Sequence, residues 1–492
     1  MNPLKKLFGQ TAIYGLSSIV GRFLNYLLTP LHTAQFTTDQ YGIITEMYAY
    51  VAFLVVLLTY GMETAFFRFA NKDGASPNKV FSTGVSAVAF TSFAFILWAF
   101  AFQQPIANWL QYPNNSEYVA WFAIIVGLDA LSALPLAKLR QNNKALKFAG
   151  VNFLNVGVNI GLNVYFIGYC LPMYQSGNVN WIIELTYNPE IGVGYVFISN
   201  LIASILKFVV LIPITLKNYE GFNKIILKET LWFGLPLLVA GLAGIINETL
   251  DRILLKRLLF DTLGERETLS QLGVYGANYK VSIIITLFIQ AFRYAAEPFF
   301  FAQEKDTNAK AVYAKVMNLF VGVVAVIFLG VMLYLDILKF FIPNQAYWEG
   351  LKVVPILLFA NIFLGIYYNQ SIWYKLTDKT YFGAYMAIFG ALTTLVLNFI
   401  LIPKMGYLGS AWTTLICYFS MVLVSYFLGQ KHYPVNYNLL KVFGYLSGSF
   451  LLWWIWNILN LEQGLLYEMG RAFIFISFLG TFFLIEKPLK NG

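Results

Sequence analysis

The stretch Phe81 to Phe102, FSTGVSAVAFTSFAFILWAFAF, runs for 22 residues without a single charge. The hydrocarbon core of a bilayer is about 30 Å thick and takes roughly 20 apolar residues to cross as a helix. A helix is required there because it satisfies every backbone N–H and C=O within its own segment. The stretch therefore reads as a transmembrane span. Similar stretches recur along all 492 residues, which are 59% hydrophobic and only 12% charged, far from the composition of a soluble domain. The expected fold class is all-α and polytopic, one membrane domain of about 14 helices. In the first half the spans are Phe8 to Leu31, Tyr41 to Phe66, Phe81 to Phe102, Tyr118 to Leu136, Phe148 to Tyr169 and Gly192 to Leu216. In the second they are Thr230 to Phe260, Val274 to Phe301, Tyr313 to Phe341, Leu351 to Tyr374, Phe382 to Ile402, Leu408 to Leu428, Leu439 to Leu459 and Leu465 to Ile485.

Lys and Arg are retained in cytoplasmic loops, so their distribution orients the chain. With the N-terminus inside, cytoplasmic segments hold 21 of these residues and outer segments 8, the loop Lys138 to Lys147 alone contributing Lys138, Arg140, Lys144 and Lys147. Both termini are then cytoplasmic. One outer stretch, around Arg252, Lys256, Arg257 and Arg266, runs against this rule. Lys5 and Lys6 precede the first span without a small-residue cleavage site, the pattern of a first transmembrane helix instead of a signal peptide. The net charge of +9 is scattered between spans, which argues against a nucleic-acid partner. Two cysteines, Cys170 and Cys417, and two distant histidines, His32 and His432, offer no disulfide framework, metal-ligand spacing or hydrolase constellation. No catalytic residue or metal ligand is expected, and the chain does not read as an enzyme.

At an offset of 234 residues, Tyr41-Gly42 aligns with Tyr275-Gly276, Glu46 with Lys280 and Glu63 with Glu297. A second parallel joins Asn188-Pro189 followed by Gly192-Val193-Gly194-Tyr195 to Pro403 followed by Gly406 to Ala411. Six helices per half let both halves enter from the same side, as in one of the two transporter symmetries.

Ionisable groups at membrane depth cost about 2.5–3.5 kcal/mol each and normally face a wet cavity or a partner. Arg22, Glu46, Glu63, Asp129, Glu248, Asp251, Arg252, Lys280, Arg293 and Glu297 fall within spans, whereas the last two spans hold nothing comparable. Glu248 and Arg252, like Arg293 and Glu297, stand four apart and form self-contained ion pairs on the simplest reading. Arg22 and Lys280 have no carboxylate three or four residues away, so they pair across helices, Lys280 with Glu46 for instance, or hold an anion. Kinks are expected at Pro236, Pro298 and Pro355.

These features together resemble the multidrug/oligosaccharidyl-lipid/polysaccharide (MOP) exporter superfamily, and within it the polysaccharide flippases of the O-antigen (Wzx) type. The resemblance rests on Thr11 to Arg22 ending at Pro30-Leu31, Asp39 to Gly42, Gly61 followed by Arg68, Leu250-Asp251-Arg252, Val274 to Gly276, and Asn398 to Pro403 followed by Gly406 to Ala411. It implies a six-helix lobe over 1–216, a second over 217–430, and two additional helices over 431–492, with a central cavity open to either side in turn. It also implies a flippase of the bacterial inner membrane that carries a polyprenyl-diphosphate-linked oligosaccharide. Arg22, Arg252, Lys280 and Arg293 are then the substrate-binding residues, and Glu46, Glu63, Asp251 and Glu297 the ion-coupling or ion-pair candidates. No cofactor is implied; protons or sodium are the candidate coupling ions. Membrane lipid, a polysaccharide polymerase and other assembly proteins are the candidate partners. The alternatives are a lipid II flippase, a drug/cation antiporter of the same superfamily, and, further off, a membrane glycosyltransferase or polymerase.

Overall fold

A computed structural model describes residues 19–72, 74, 76–303, 306–459, 461–462 and 464–486. Helices account for nearly all of them, and no strand occurs among the described residues. Helix α1 (Leu28–Gln35) closes the first expected span, whose opening residues lie outside the described ones. Thirteen further helices are long and apolar enough to cross a membrane. They are α2 (Thr38–Ala70), α3 (Pro77–Ala101), α4 (Ser116–Gln141), α5 (Ala145–Gln175), α6 (Gly194–Lys217), α7 (Lys224–Leu263), α8 (Glu265–Phe301), α9 (Ala309–Leu333), α10 (Gln345–Leu376), α11 (Tyr381–Met405), α12 (Tyr407–His432), α13 (Leu439–Ile458) and α14 (Leu465–Ile485). These are the second to fourteenth expected spans, and the chain is a multi-pass membrane protein.

Local chemistry sets the helix starts. Thr37 and Gln40 form a capping box on α2, with the Thr37 N–H donating to Gln40 Oε1 at 3.1 Å. Ser76 caps α3 ahead of Pro77, and Asn223 accepts from the N–H groups of Ile225 and Ile226 at the head of α7. In the connection before α7, Glu220 accepts from Asn78 and Ser76; those two hydrogen bonds hold its carboxyl below the ordinary range. Gly192 and Gly406 open the two parallel segments with nearly the same backbone, φ +51, ψ −120 and φ +57, ψ −138. That region is closed to residues with a Cβ, so the sequence parallel marks one turn used twice.

The chain forms two compact units, residues 1–273 and 274–492. The sequence reading opens the second lobe at 217, whereas α7 packs in the first unit, and glycines explain why. Helix α2 breaks at Tyr60 and Gly61, both with positive φ, and Gly234 of α7 lies against this break so closely that a Cβ there would stand 2.8 Å from the Tyr60 carbonyl oxygen. The start of α8 is held still more tightly: a Cβ on Gly273 would lie 1.8 Å from the Thr38 carbonyl oxygen, and one on Gly42 2.0 Å from that of Leu269. Backbones that approach like this use small residues. Gly273→Ala and Gly42→Ala are each expected to destabilise the protein by about 1–3 kcal/mol, since the obstructing atoms are backbone. Gly157→Ala, with nothing within 4 Å of the new Cβ, should be harmless. Thermal unfolding of the purified variants checks this, and a wild-type melting temperature for Gly273→Ala would refute the close crossing.

In the second unit α13 and α14 both pack on α9, where Gly322 and Gly330 admit the rings of Phe482 and Phe475. The expected kink is corrected for Pro355 alone. Helices α7 and α8 remain helical through Pro236 and Pro298, and Pro355 stands in the first turn of its α-helical segment, where a missing N–H is of no consequence.

Candidate functional site

In the first unit, Thr38, Gly42 and Glu46 succeed one another at helical spacing on α2, so Glu46 faces inward below the crossing with α8. Its carboxylate is fully buried and meets the equally buried Lys256 of α7, Nζ to Oε2 at 2.9 Å. Lys256 also donates to the Leu110 carbonyl at 2.8 Å and lies 3.6 Å from the centre of the Tyr112 ring. The Tyr112 hydroxyl donates to the same Glu46 oxygen, and burial beside that carboxylate holds the phenol well above its ordinary pKa. Next to it Arg257 lies 4.2 Å above the Trp109 ring. Of the cations in the stretch that runs against the charge rule, Lys256 is neutralised inside the protein by Glu46. Lys280 is not the partner of Glu46.

A second group gathers around the first described turns. Arg22 is exposed, and Arg22, Glu248 and Arg252 all lie within electrostatic reach of the Tyr26 hydroxyl. The expected pair of Glu248 and Arg252 takes another form, for the Arg252 guanidinium donates to the Glu248 backbone oxygen at 2.7 Å and stands 3.7 Å from the buried Asp251 carboxylate. Elsewhere in this unit Asp129 accepts from Ser204 at 2.9 Å and from Lys207 of α6 at 2.7 Å, and Glu63 pairs with Arg140 of α4.

In the second unit Glu297 of α8 pairs with Lys375 of α10 at 2.7 Å, and Arg293 lies 3.9 Å from the centre of the Tyr368 ring. The expected Arg293–Glu297 pair is therefore replaced. Lys280 is half-buried on α8. Glu297 follows Glu63 by 234 residues and Lys375 follows Arg140 by 235, so one inter-helix ion pair occurs in both units at the offset the sequence repeat requires. Buried Tyr112 and Tyr347 are likewise 235 residues apart. The expectation that the last two spans carry no comparable charge is corrected by Arg471 of α14, which is 1% exposed and donates to both Asp336 oxygens at 2.8 and 3.0 Å and to Glu468.

At the level of sequence, no family model and no curated protein matches the chain. Solved structures do. A lipid II flippase, MurJ, in an inward closed conformation superposes with a TM-score of 0.72 over 96% of this chain and 98% of its own, at 15% identity. A multidrug resistance MATE family transporter of the MOP superfamily, inward-facing, gives 0.63 over 86% and 94% at 12% identity. A MATE bound to MaD3S gives 0.58 over 88% and 96% at 14%. The chain shares the fold of these solved structures. The first of them is a lipid II flippase and the second a multidrug resistance transporter. Within this fold the charged residues separate into two sets. Lys256, Lys207, Arg140, Lys375 and Arg471 are each tied to a carboxylate on a neighbouring element, and long-range pairing of this kind is what sequence spacing misses. Arg22 and Arg293 make no ion pair with a carboxylate among the described residues.

Proposed function

We propose that this chain is a flippase that moves a polyprenyl-diphosphate-linked oligosaccharide, a surface polysaccharide repeat unit, across a bacterial cytoplasmic membrane by alternating access. One observation carries the reading: Glu46, Glu63, Asp129 and Glu297 are each bound to a Lys or Arg, while Arg22 and Arg293 have no carboxylate partner among the described residues. A drug/cation antiporter needs the opposite surplus. An anion with a diphosphate head suits what remains, because Arg offers a planar fork that matches phosphate oxygens. Arg22, Arg252, Lys280 and Arg293 are assigned to the diphosphate, and protons or sodium acting on Asp251 or Glu297 to coupling. Both termini are cytoplasmic in this reading, and the polymerase that consumes the exported unit is the candidate partner. A lipid II flippase is the second reading, favoured by the full-length superposition on MurJ.

Purified protein in lipid vesicles, given a lipid-linked oligosaccharide on one leaflet, should speed the appearance of its sugar on the other, scored by an impermeant lectin. The same vesicles should not accumulate a cationic dye. Dye accumulation without sugar translocation would overturn the proposal.

A further inference from the structure

At one end of the first unit, the end that the charge count places outside the cell, the turn between α1 and α2 meets the end of α5 and the connection into α6. Between them lies a cavity of about 140 Å³. Three glutamines, Gln35, Gln40 and Gln175, line it opposite a wall of aromatic rings, and no charged side chain does. The wall is a rigid stack: Phe166 lies on Tyr195 at 4.4 Å, and Tyr195 on Tyr187 at 4.9 Å, with interplanar angles of 23° and 15°. Phe166 belongs to a π-helical stretch, Val164–Cys170, inside α5. Such widened turns are uncommon and concentrate at functional sites.

The polar groups are available. Gln40 spends its oxygen on the Thr37 N–H and keeps its amide donors, and neither the Gln35 nor the Gln175 side chain has a hydrogen-bond partner among the described residues. The Tyr187 hydroxyl is neutral and can both donate and accept. Each glutamine offers an acceptor and two donors, the combination that neighbouring hydroxyl groups of a sugar require. A flat ring wall suits the C–H face of the same sugar. The volume is below the roughly 300–1,000 Å³ of drug-sized sites, so it fits one ring.

We propose that this cavity is a subsite for a single uncharged pyranose, holding one sugar of the transported oligosaccharide at the outer face of the first unit. The source of the sugar rests on the flippase reading; the binding itself does not. A diphosphate or a uronic acid is excluded chemically, because the lining offers no cation to neutralise it.

Saturation-transfer NMR on the full chain in sugar-free nanodiscs tests the subsite, with free glucose, galactose, N-acetylglucosamine and glucuronic acid as probes. At least one neutral sugar should bind saturably and glucuronic acid should not. Gln35→Ala/Gln175→Ala should weaken that binding about tenfold, the loss of two to three modest hydrogen bonds, without changing the melting temperature. Tyr187→Leu should weaken it independently. Failure of every neutral sugar to saturate, or equal binding by the variants, would mean a hydrated cleft only and would overturn the proposal. Vesicle translocation separates the two ideas: sugar binding without translocation leaves the subsite standing and removes the flippase, whereas translocation without sugar binding does the reverse.

Discussion

Lys256→Met is expected to destabilise the protein by about 3–5 kcal/mol, because it strands the Glu46 carboxylate in a site with no exposure to water and only the Tyr112 hydroxyl to meet it. Solvent screening cannot soften the loss, since both side chains are fully buried. Glu46→Gln should cost less, for its amide oxygen can still accept from Lys256 while the Leu110 carbonyl continues to share the ammonium. Replacing both partners, Glu46→Leu with Lys256→Met, should recover most of the stability, because a buried pair exchanged for apolar side chains of similar volume is often neutral. The midpoint of thermal unfolding in detergent, measured for the three variants together, gives the order. A Lys256→Met protein that melts like the wild type would mean that the pair does not hold α7 against α2.

This pair also shows where sequence reading succeeds and where it stops. Span positions were legible because bilayer thickness fixes helix length, and thirteen of them reappear as helices. The repeat was legible because Glu63 and Glu297 keep the 234-residue offset and because Gly192 and Gly406 open matching turns. Their partners were not. Arg140 and Lys375 sit 77 and 78 residues from the carboxylates they neutralise, and Lys256 sits 210 from Glu46. Nothing local distinguishes such cations from topology markers. Lys256 did leave one trace, a positive residue that breaks the charge rule when the N-terminus is placed inside, and a buried carboxylate partner is a physical reason for such an exception. Local spacing misled in the opposite direction. Four-residue spacing suggested pairs for Arg252 and Arg293, yet one finds a backbone carbonyl and the other a tyrosine ring. Arg471 and Glu468, three apart, look like an ordinary surface pair until Asp336, 135 residues away, closes over the same guanidinium.

Arg22→Gln is expected to reduce lipid-linked oligosaccharide translocation by at least about tenfold, and Arg22→Gln/Lys280→Gln to bring it to background. A charge-assisted hydrogen bond to phosphate contributes about 1.5–3 kcal/mol, and each substitution removes at least one. Away from bulk water the attraction between a diphosphate and a fixed guanidinium grows further, since the effective dielectric constant falls severalfold. Stability should be unaffected by Arg22→Gln, because Arg22 is exposed and makes no ion pair with a carboxylate among the described residues. This contrast with Lys256→Met is the useful one: in the proposed reading one cation holds the fold and the other the ligand. Arg22→Lys should retain part of the rate, as a point charge attracts the diphosphate without the bidentate fit. The readout is the initial rate in vesicles at matched protein density, with the melting temperature of each variant taken alongside. Wild-type rates from the Arg22→Gln/Lys280→Gln protein would remove these cations from substrate binding and leave the diphosphate to be held elsewhere.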